Sequence, residues 1–296
     1  MIVLMEQFFI YIALVLLGLC LGSFAGASVW RLRARQLEDD KTQGEHVDSS
    51  EYKQLKKLIG TSIRGDRSKC LHCSYVLRWY DLIPLFSWLS LRNKCRKCRK
   101  QIGILEPLIE LGVATFFVLS YAFWPYALNN GLEIARLVLW LIAGVGLAIL
   151  FVYDKKWFLL PSLVNYIVIG VGACSAILVI LITQDKLSAI IGVIGAVLIL
   201  SGFYWILDKI SNGRWIGSGD VWLGLGLALL LANWQLAFIA LFAANLVGCL
   251  IVLPAMVTKK LNLKSHVPFG PLLIVGFVIA GLAGSYLVNA YLSILL

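Results

Sequence analysis

The sequence predicts an all-α polytopic membrane protein of about eight transmembrane helices, with a cytoplasmic loop that resembles a zinc ribbon. Three observations predict it. Hydrophobic residues make up 60% of the 296-residue chain and charged residues only 14%, too apolar a balance for a soluble core of that size. Apolar stretches recur near residues 8–30, 104–124, 134–153, 160–183, 187–207, 215–231, 236–257 and 271–296, and most reach the roughly 20 residues a helix needs to cross hydrocarbon. Four cysteines in two Cys-x-x-Cys pairs lie in the long polar segment between the first two stretches.

The first stretch reads as a retained span rather than a cleaved signal. It is too long for one, and the residues before it hold Glu6 and no Lys or Arg. Gly18, Gly22 and Gly26 recur every fourth residue, the small-residue pattern that lets membrane helices approach closely. Three segments follow: a first transmembrane helix over 1–30, a cytoplasmic loop over 31–103 and a membrane-embedded helical bundle over 104–296.

Orientation follows from the Lys/Arg bias. Residues 31–100 carry 17 of the 26 Lys and Arg. If that loop is cytoplasmic and eight spans alternate, 24 of the 26 fall inside, leaving Arg136 and Lys186 outside. Both chain ends are then extracytoplasmic, and Asp154 and Asp220 share the cytoplasmic face. The formal net charge of +10 is thus mostly topology, and suits contact with anionic lipid. Nucleic-acid binding is disfavoured, because the basic residues mix with acids over 38–51 and no binding fold is recognisable.

Residues 35–66 are polar, with a short amphipathic helix expected over 51–59 and mobility over most of the rest. Beyond them, Cys70-Leu-His-Cys73 and Cys95-Arg-Lys-Cys98 are separated by 21 residues. Two thiol pairs at that spacing suit a tetrahedral structural zinc site. A disulfide framework is disfavoured in a reducing compartment, and a redox pair would need only one Cys-x-x-Cys. His72 is read as a bystander, and Cys20, Cys174 and Cys249 as small apolar fillers in spans. Asp81 is read as a helix cap or ion-pair partner.

Two aspartates carry the chemistry. Asp220 closes Gly217-Ser218-Gly219-Asp220, directly before an apolar run, and Asp154 ends an earlier one. A carboxylate at membrane depth is costly, about 2.5–3.5 kcal/mol, and by default marks function. The stretch 215–257 must cross twice with a turn near Asn233, so its first crossing is short unless it starts near Trp215, which draws Asp220 below the surface. Gly217 and Gly219 would let a substrate backbone approach closely. Two neighbouring carboxylates share a proton more readily than both ionise, which equips them to activate water and polarise a peptide carbonyl. Asp208, beside Lys209, reads as an interfacial ion pair, and Glu110 as a buried hydrogen-bonding residue that orders the bundle.

Taken together, Gly18-Leu-Cys-Leu-Gly-Ser-Phe24, the cysteine pairs flanking Trp79-Tyr-Asp-Leu-Ile-Pro84 and Ser87-Trp88, and Glu106-Pro-Leu-Ile-Glu110-Leu resemble the type IV prepilin leader peptidases, aspartyl proteases of bacterial inner membranes. The likeness continues through Asp154 with Pro161, the Gly217–Asp220 motif and Pro268-Phe-Gly-Pro271. The resemblance implies a catalytic pair, Asp154 and Asp220, and metal ligands Cys70, Cys73, Cys95 and Cys98. It implies prepilin or pseudopilin substrates, each with a basic leader, a glycine before the cut and a hydrophobic helix. The family often also methylates the new N-terminus with S-adenosylmethionine. Two departures stand out: Trp222, where the family commonly has lysine, and a longer insert over 35–66.

Two other readings use the same carboxylates. A transporter carrying protons or cations would show an internal repeat with paired broken helices, yet the Gly-x-Gly-Asp motif occurs once. A preflagellin-type peptidase is the second, and the tetracysteine loop favours the bacterial prepilin branch over it.

Overall fold

A computed structural model describes residues 2–59, 67–214, 216–259 and 266–295. Helices α1 (Ile2–Thr42), α2 (Ser49–Leu55), α3 (Phe86–Ser90) and α4 (Leu105–Ala122) come first. Helices α5 (Gly131–Trp157), α6 (Ser162–Ile182), α7 (Lys186–Val197), α8 (Phe203–Ser211), α9 (Ser218–Leu231), α10 (Trp234–Val257) and α11 (Phe269–Leu295) follow. A π-helical stretch, Leu198–Gly202, joins α7 to α8 without a break. Among the described residues seven helices are long and apolar enough to cross a membrane, with α7 and α8 counting as one, and Ser218–Leu231 is a shorter apolar helix. The expected eighth span is therefore α9. Its 14 residues reach about 21 Å at 1.5 Å per residue, short of a hydrocarbon core of about 30 Å. Trp215, where the sequence would start this span, lies outside the described residues.

The chain divides into two compact units, residues 1–118 and 119–296. In the first, α1 is far longer than its apolar run. It continues through residue 30, the expected domain boundary, to Thr42, so the polar 31–42 stretch is helix rather than mobile loop. The reason is tertiary. Tyr52 and Leu55 of α2 bury against Ala34 and Leu37 of α1. Arg33 grips Glu51 with two charge-assisted bonds of 3.1 and 2.7 Å, and the Tyr52 hydroxyl donates to Glu38 at 2.7 Å. Asp48 starts α2 by accepting the N–H groups of Ser50 and Glu51.

The glycine stripe does what its spacing predicts. Methyl groups on Gly18 and Gly22 would stand 2.5 and 2.6 Å from the Cα atoms of Ala114 and Glu110 in α4, so only glycine permits this approach. Cys20, by contrast, is exposed on the helix surface, as are Cys174 and Cys249. They fill no gap in the packing, which corrects the sequence reading.

In the second unit, α9 is the central element. It packs on α6, the π-helical stretch, α7 and α11, while α10 pairs with α11 and α5 with α6. Ser201, in the π-helical stretch, donates its hydroxyl to the Val221 carbonyl at 3.1 Å, fixing that stretch against the first turns of α9. Asn233 caps α10 by accepting the N–H groups of Gln235 and Leu236, which makes the sharp reversal after α9 that the sequence predicts. Trp140 donates to Ser120 at 2.9 Å and stacks on Phe277 at 4.6 Å.

Candidate active site and metal centre

Asp154 lies in the last turns of α5 and is 6% exposed, although Lys155 and Lys156 beside it reach solvent. Its Oδ2 accepts the backbone N–H of Gly270 at 3.0 Å. Gly270 is in the first turn of α11, where N–H groups lack partners within the helix and favour an anionic acceptor.

Asp220 occupies the first turn of α9, its own N–H bonded to the Gly217 carbonyl at 3.0 Å. It is half-buried, and its charge interacts with that of Asp154. Leu160 stands between the two segments. A methyl on Gly219 would meet Leu160 Cβ at 3.1 Å, and one on Gly270 would meet Leu160 Cδ2 at 3.4 Å and Asp154 Oδ2 at 2.8 Å. The structure thus brings together the two aspartates that the sequence placed 66 positions apart. The glycines differ in role. Gly219 is small because Leu160 is close, whereas a methyl on Gly217 would find nothing among the described residues nearer than Asp220 Oδ2 at 3.9 Å.

Sequence reasoning missed two neighbours of this pair. Asn165, in the first turn of α6, donates its Nδ2 to the Gly219 carbonyl at 3.4 Å. Tyr204 of α8 packs its ring against Phe269 at 5.3 Å between centroids. An amide inside the apolar run 160–183 was a usable signal, whereas a tyrosine in an apolar helix announces nothing. Gly270 had a signal, since it sits in the Pro268–Pro271 motif. Asp208 forms no ion pair among the described residues, contrary to the sequence reading. Its carbonyl instead accepts the Gly213 N–H at 3.0 Å and so ends α8.

The first unit holds the cysteines. Cys70 and Cys98 sulfurs lie 3.9 Å apart, as do Cys73 and Cys95, and all four fall within 4.8 Å of one another. Metal–sulfur bonds of about 2.3 Å in a tetrahedron put sulfurs about 3.8 Å apart, so the set is shaped to hold a metal ion. The two knuckles are built alike. Cys70 and Cys95 accept the N–H of Ser74 and Arg99 at 2.9 and 3.0 Å, and their own N–H groups donate to Tyr75 and Lys100 at 2.9 Å. Isolated bridges Lys69 to Val76 and Lys94 to Gln101 close each turn.

Burial pushes the Cys70 thiol up to about 12. Burial acts the same way on Cys95, but the N–H groups of Cys98 and Lys97 and the thiols of Cys70 and Cys98 outweigh it and bring Cys95 down to about 7. His72 is not one of the clustered ligands. Asp81 caps its turn by accepting the Arg78 N–H at 3.1 Å and pairs with Arg96 at 2.8 Å, the role the sequence assigned it. Glu110, buried in α4, accepts the Leu85 N–H at 2.8 Å and so ties the loop to the helix.

Beside the knuckles, a cavity of about 200 Å³ is lined by Trp30, Arg31, Trp88, Glu106 and Glu110 among others. Trp30 donates to Glu106 at 3.2 Å and Trp88 to the Gly103 carbonyl at 2.7 Å, so both indoles are held in place.

Comparison with known proteins bears on both units. A family described as the bacterial peptidase A24 N-terminal domain matches residues 16–124. The type 4 prepilin-like proteins leader peptide-processing enzyme of Escherichia coli O78:H11 is 31% identical, over 91% of this chain and 91% of that protein. The prepilin leader peptidase/N-methyltransferases of Stutzerimonas stutzeri and Pseudomonas aeruginosa are 27% and 26% identical, covering 96% and 94% of this chain and 94% and 92% of theirs. No solved structure matches the chain.

Proposed function

The chain belongs to the type IV prepilin leader peptidase family, and on that premise we propose that it is an intramembrane aspartyl endopeptidase that removes the basic leader from prepilins or pseudopilins at the cytoplasmic face. The observation that carries the reading is the convergence of Asp154, from the end of α5, with Asp220, from the start of the short helix α9. One carboxylate takes a proton from water as the water oxygen attacks the scissile carbonyl carbon. The other, protonated, donates to the carbonyl oxygen. Collapse of the tetrahedral adduct breaks the C–N bond, and the leaving amine takes up a proton. No covalent enzyme intermediate is needed.

The division of labour follows from the surroundings. Asp154 is anchored by Gly270 and buried, whereas Asp220 is only half-buried. The shortness of α9 supports a cut a little below the membrane surface, on the cytoplasmic side. With its far end at the opposite interface, its first turn stops about 9 Å inside the hydrocarbon. A prepilin presents its cleavage site at the head of a hydrophobic helix, which suits that depth. The Lys/Arg distribution supports a bacterial inner-membrane orientation with the cysteine loop and both aspartates facing the cytoplasm and both ends of the chain outside. Co-expression with a candidate prepilin, followed by mass spectrometry of the product's N-terminus, tests the reading directly. An unprocessed prepilin beside well-inserted enzyme would refute it.

A second activity, N-methylation of the new N-terminus, is supported by the names of the relatives and by the cavity in the first unit. Two fixed indoles with the carboxylates of Glu106 and Glu110 offer the chemistry that receives a sulfonium methyl donor such as S-adenosylmethionine. The donor supplies the methyl group, and these residues would bind and orient it. The four cysteines would hold zinc, as a closed structural ion with no position left for substrate.

A further inference from the structure

Two polar side chains flank the first turn of α9 with an atom each left over. Asn165 is 2% exposed, and while its Nδ2 reaches the Gly219 carbonyl, its Oδ1 has no hydrogen-bond partner among the described residues. Tyr204 is also 2% exposed, and its hydroxyl has no partner among them either. Buried polar atoms are almost always satisfied, so a single orphan asks for an explanation. Here two orphans border the same few residues.

Geometry places both beside Asp220. Asn165 bonds the residue immediately before it. Ser201 bonds the carbonyl of the residue immediately after it. Tyr204 follows Ser201 by nearly one turn, and α8 and α9 run in opposite directions across a short connection, so Tyr204 is level with the motif Gly217–Asp220. Its hydroxyl interacts electrostatically with Asp220. The ring is clamped against Phe269, next to the Gly270 that holds Asp154.

We propose that Asn165 and Tyr204 bind the backbone of the substrate at the cleavage site, Asn165 Oδ1 accepting a peptide N–H and the Tyr204 hydroxyl donating to a peptide carbonyl. The pair offers one acceptor and one donor, matching the two groups that an extended peptide presents. Main-chain recognition also suits an enzyme whose substrate is entering a bilayer, where unpaired peptide groups are costly. The leader then lies past Gly217, beside which a methyl would meet no described atom closer than 3.9 Å. This proposal rests on the reading of Asp154 and Asp220 as the catalytic pair.

The test uses purified full-length enzyme with a prepilin and four variants: Tyr204→Phe, Asn165→Leu, Asp154→Asn and Asp220→Asn. Tyr204→Phe removes only the orphan hydroxyl, so the expected result is kcat/KM lowered roughly tenfold or more with a thermal midpoint equal to or above that of the wild type. A residue serving only structure would lose activity and midpoint together, and that outcome overturns the proposal. So does wild-type kcat/KM in Tyr204→Phe. For Asn165 the readout is discrimination. Prepilin peptides N-methylated at single amides near the cut should include one that the wild type cleaves poorly, and Asn165→Leu should no longer distinguish it from the unmethylated peptide. Retained discrimination in Asn165→Leu counts against its role. The aspartate variants separate the two layers: if either cleaves normally, the catalytic reading itself fails, whereas inactive aspartate variants with a fully active Tyr204→Phe defeat only this inference.

Discussion

The backbone N–H of Gly270 donates to Asp154 Oδ2 at 3.0 Å across 116 positions of sequence. A methyl on Gly270 would stand 2.8 Å from that same oxygen. The start of α11 therefore both anchors the carboxylate and leaves no room for a side chain. Gly270→Ala should force Asp154 off its position and lower prepilin processing about tenfold or more, with the protein still inserted at wild-type levels. A gel-shift assay of processed against unprocessed prepilin measures it, and unchanged processing would show that Asp154 tolerates displacement.

Asp154→Asn and Asp220→Asn should each reduce cleavage on the order of a thousandfold or more, because an amide can neither take the proton of water nor share one with its partner. Asp208→Asn should be nearly silent, since the local role of Asp208 is carried by its backbone carbonyl. Single-turnover cleavage of a purified prepilin distinguishes the three. Normal turnover by Asp220→Asn would dispose of the aspartyl mechanism.

What the sequence disclosed about this site, and what it hid, follows from the reach of each signal. Asp220 and the short α9 were legible, because a carboxylate before an apolar run that must reverse near Asn233 leaves few residues for the crossing. The cysteine quartet was legible from spacing alone. The full length of α1 was not. Residues 31–42 are polar, and what keeps them helical are partners 14 to 18 positions later, Glu51 for Arg33 and Tyr52 for Glu38. Asn165 offered a signal, an amide inside an apolar run, but Tyr204 did not, and what singles out both is an atom left without a hydrogen-bond partner among the described residues, which only the packed structure reveals.

Orientation is open to direct measurement. In a background without native thiols, cysteines placed at Asn130 and Tyr291, both exposed, should react with an impermeant reagent added outside whole cells, and one at Ser49 should not. The expectation rests on the 24-to-2 division of Lys and Arg. Outside labelling at Ser49 would reverse the topology and remove the cytoplasmic setting proposed for the two aspartates.

Metal removal should separate the two halves of the chemistry. Four sulfurs within 4.8 Å of one another would close a tetrahedron around a metal and leave no position for water or a carbonyl, so on the proposed reading an ion there would act by folding the loop rather than by catalysis. The knuckles carry their own backbone bonds at Cys70 and Cys95, and Asp81–Arg96 and Leu85–Glu110 tie the residues between them, so loss of an ion should loosen the knuckles rather than unfold the whole of 69–101. Purified protein should contain about one zinc per chain by elemental analysis. Cys95→Ser should lose it and render the segment around Trp88 sensitive to limited proteolysis. Cleavage should persist at high prepilin concentration, because neither aspartate is near the quartet in sequence and the step at the carbonyl does not use it. Methyl transfer should fall further than cleavage, since Cys70 and Cys95 line the cavity with Trp30 and Glu110, and its walls depend on the folded knuckles. Equal loss of both activities in a well-inserted Cys95→Ser protein would show that the metal serves proteolysis as well.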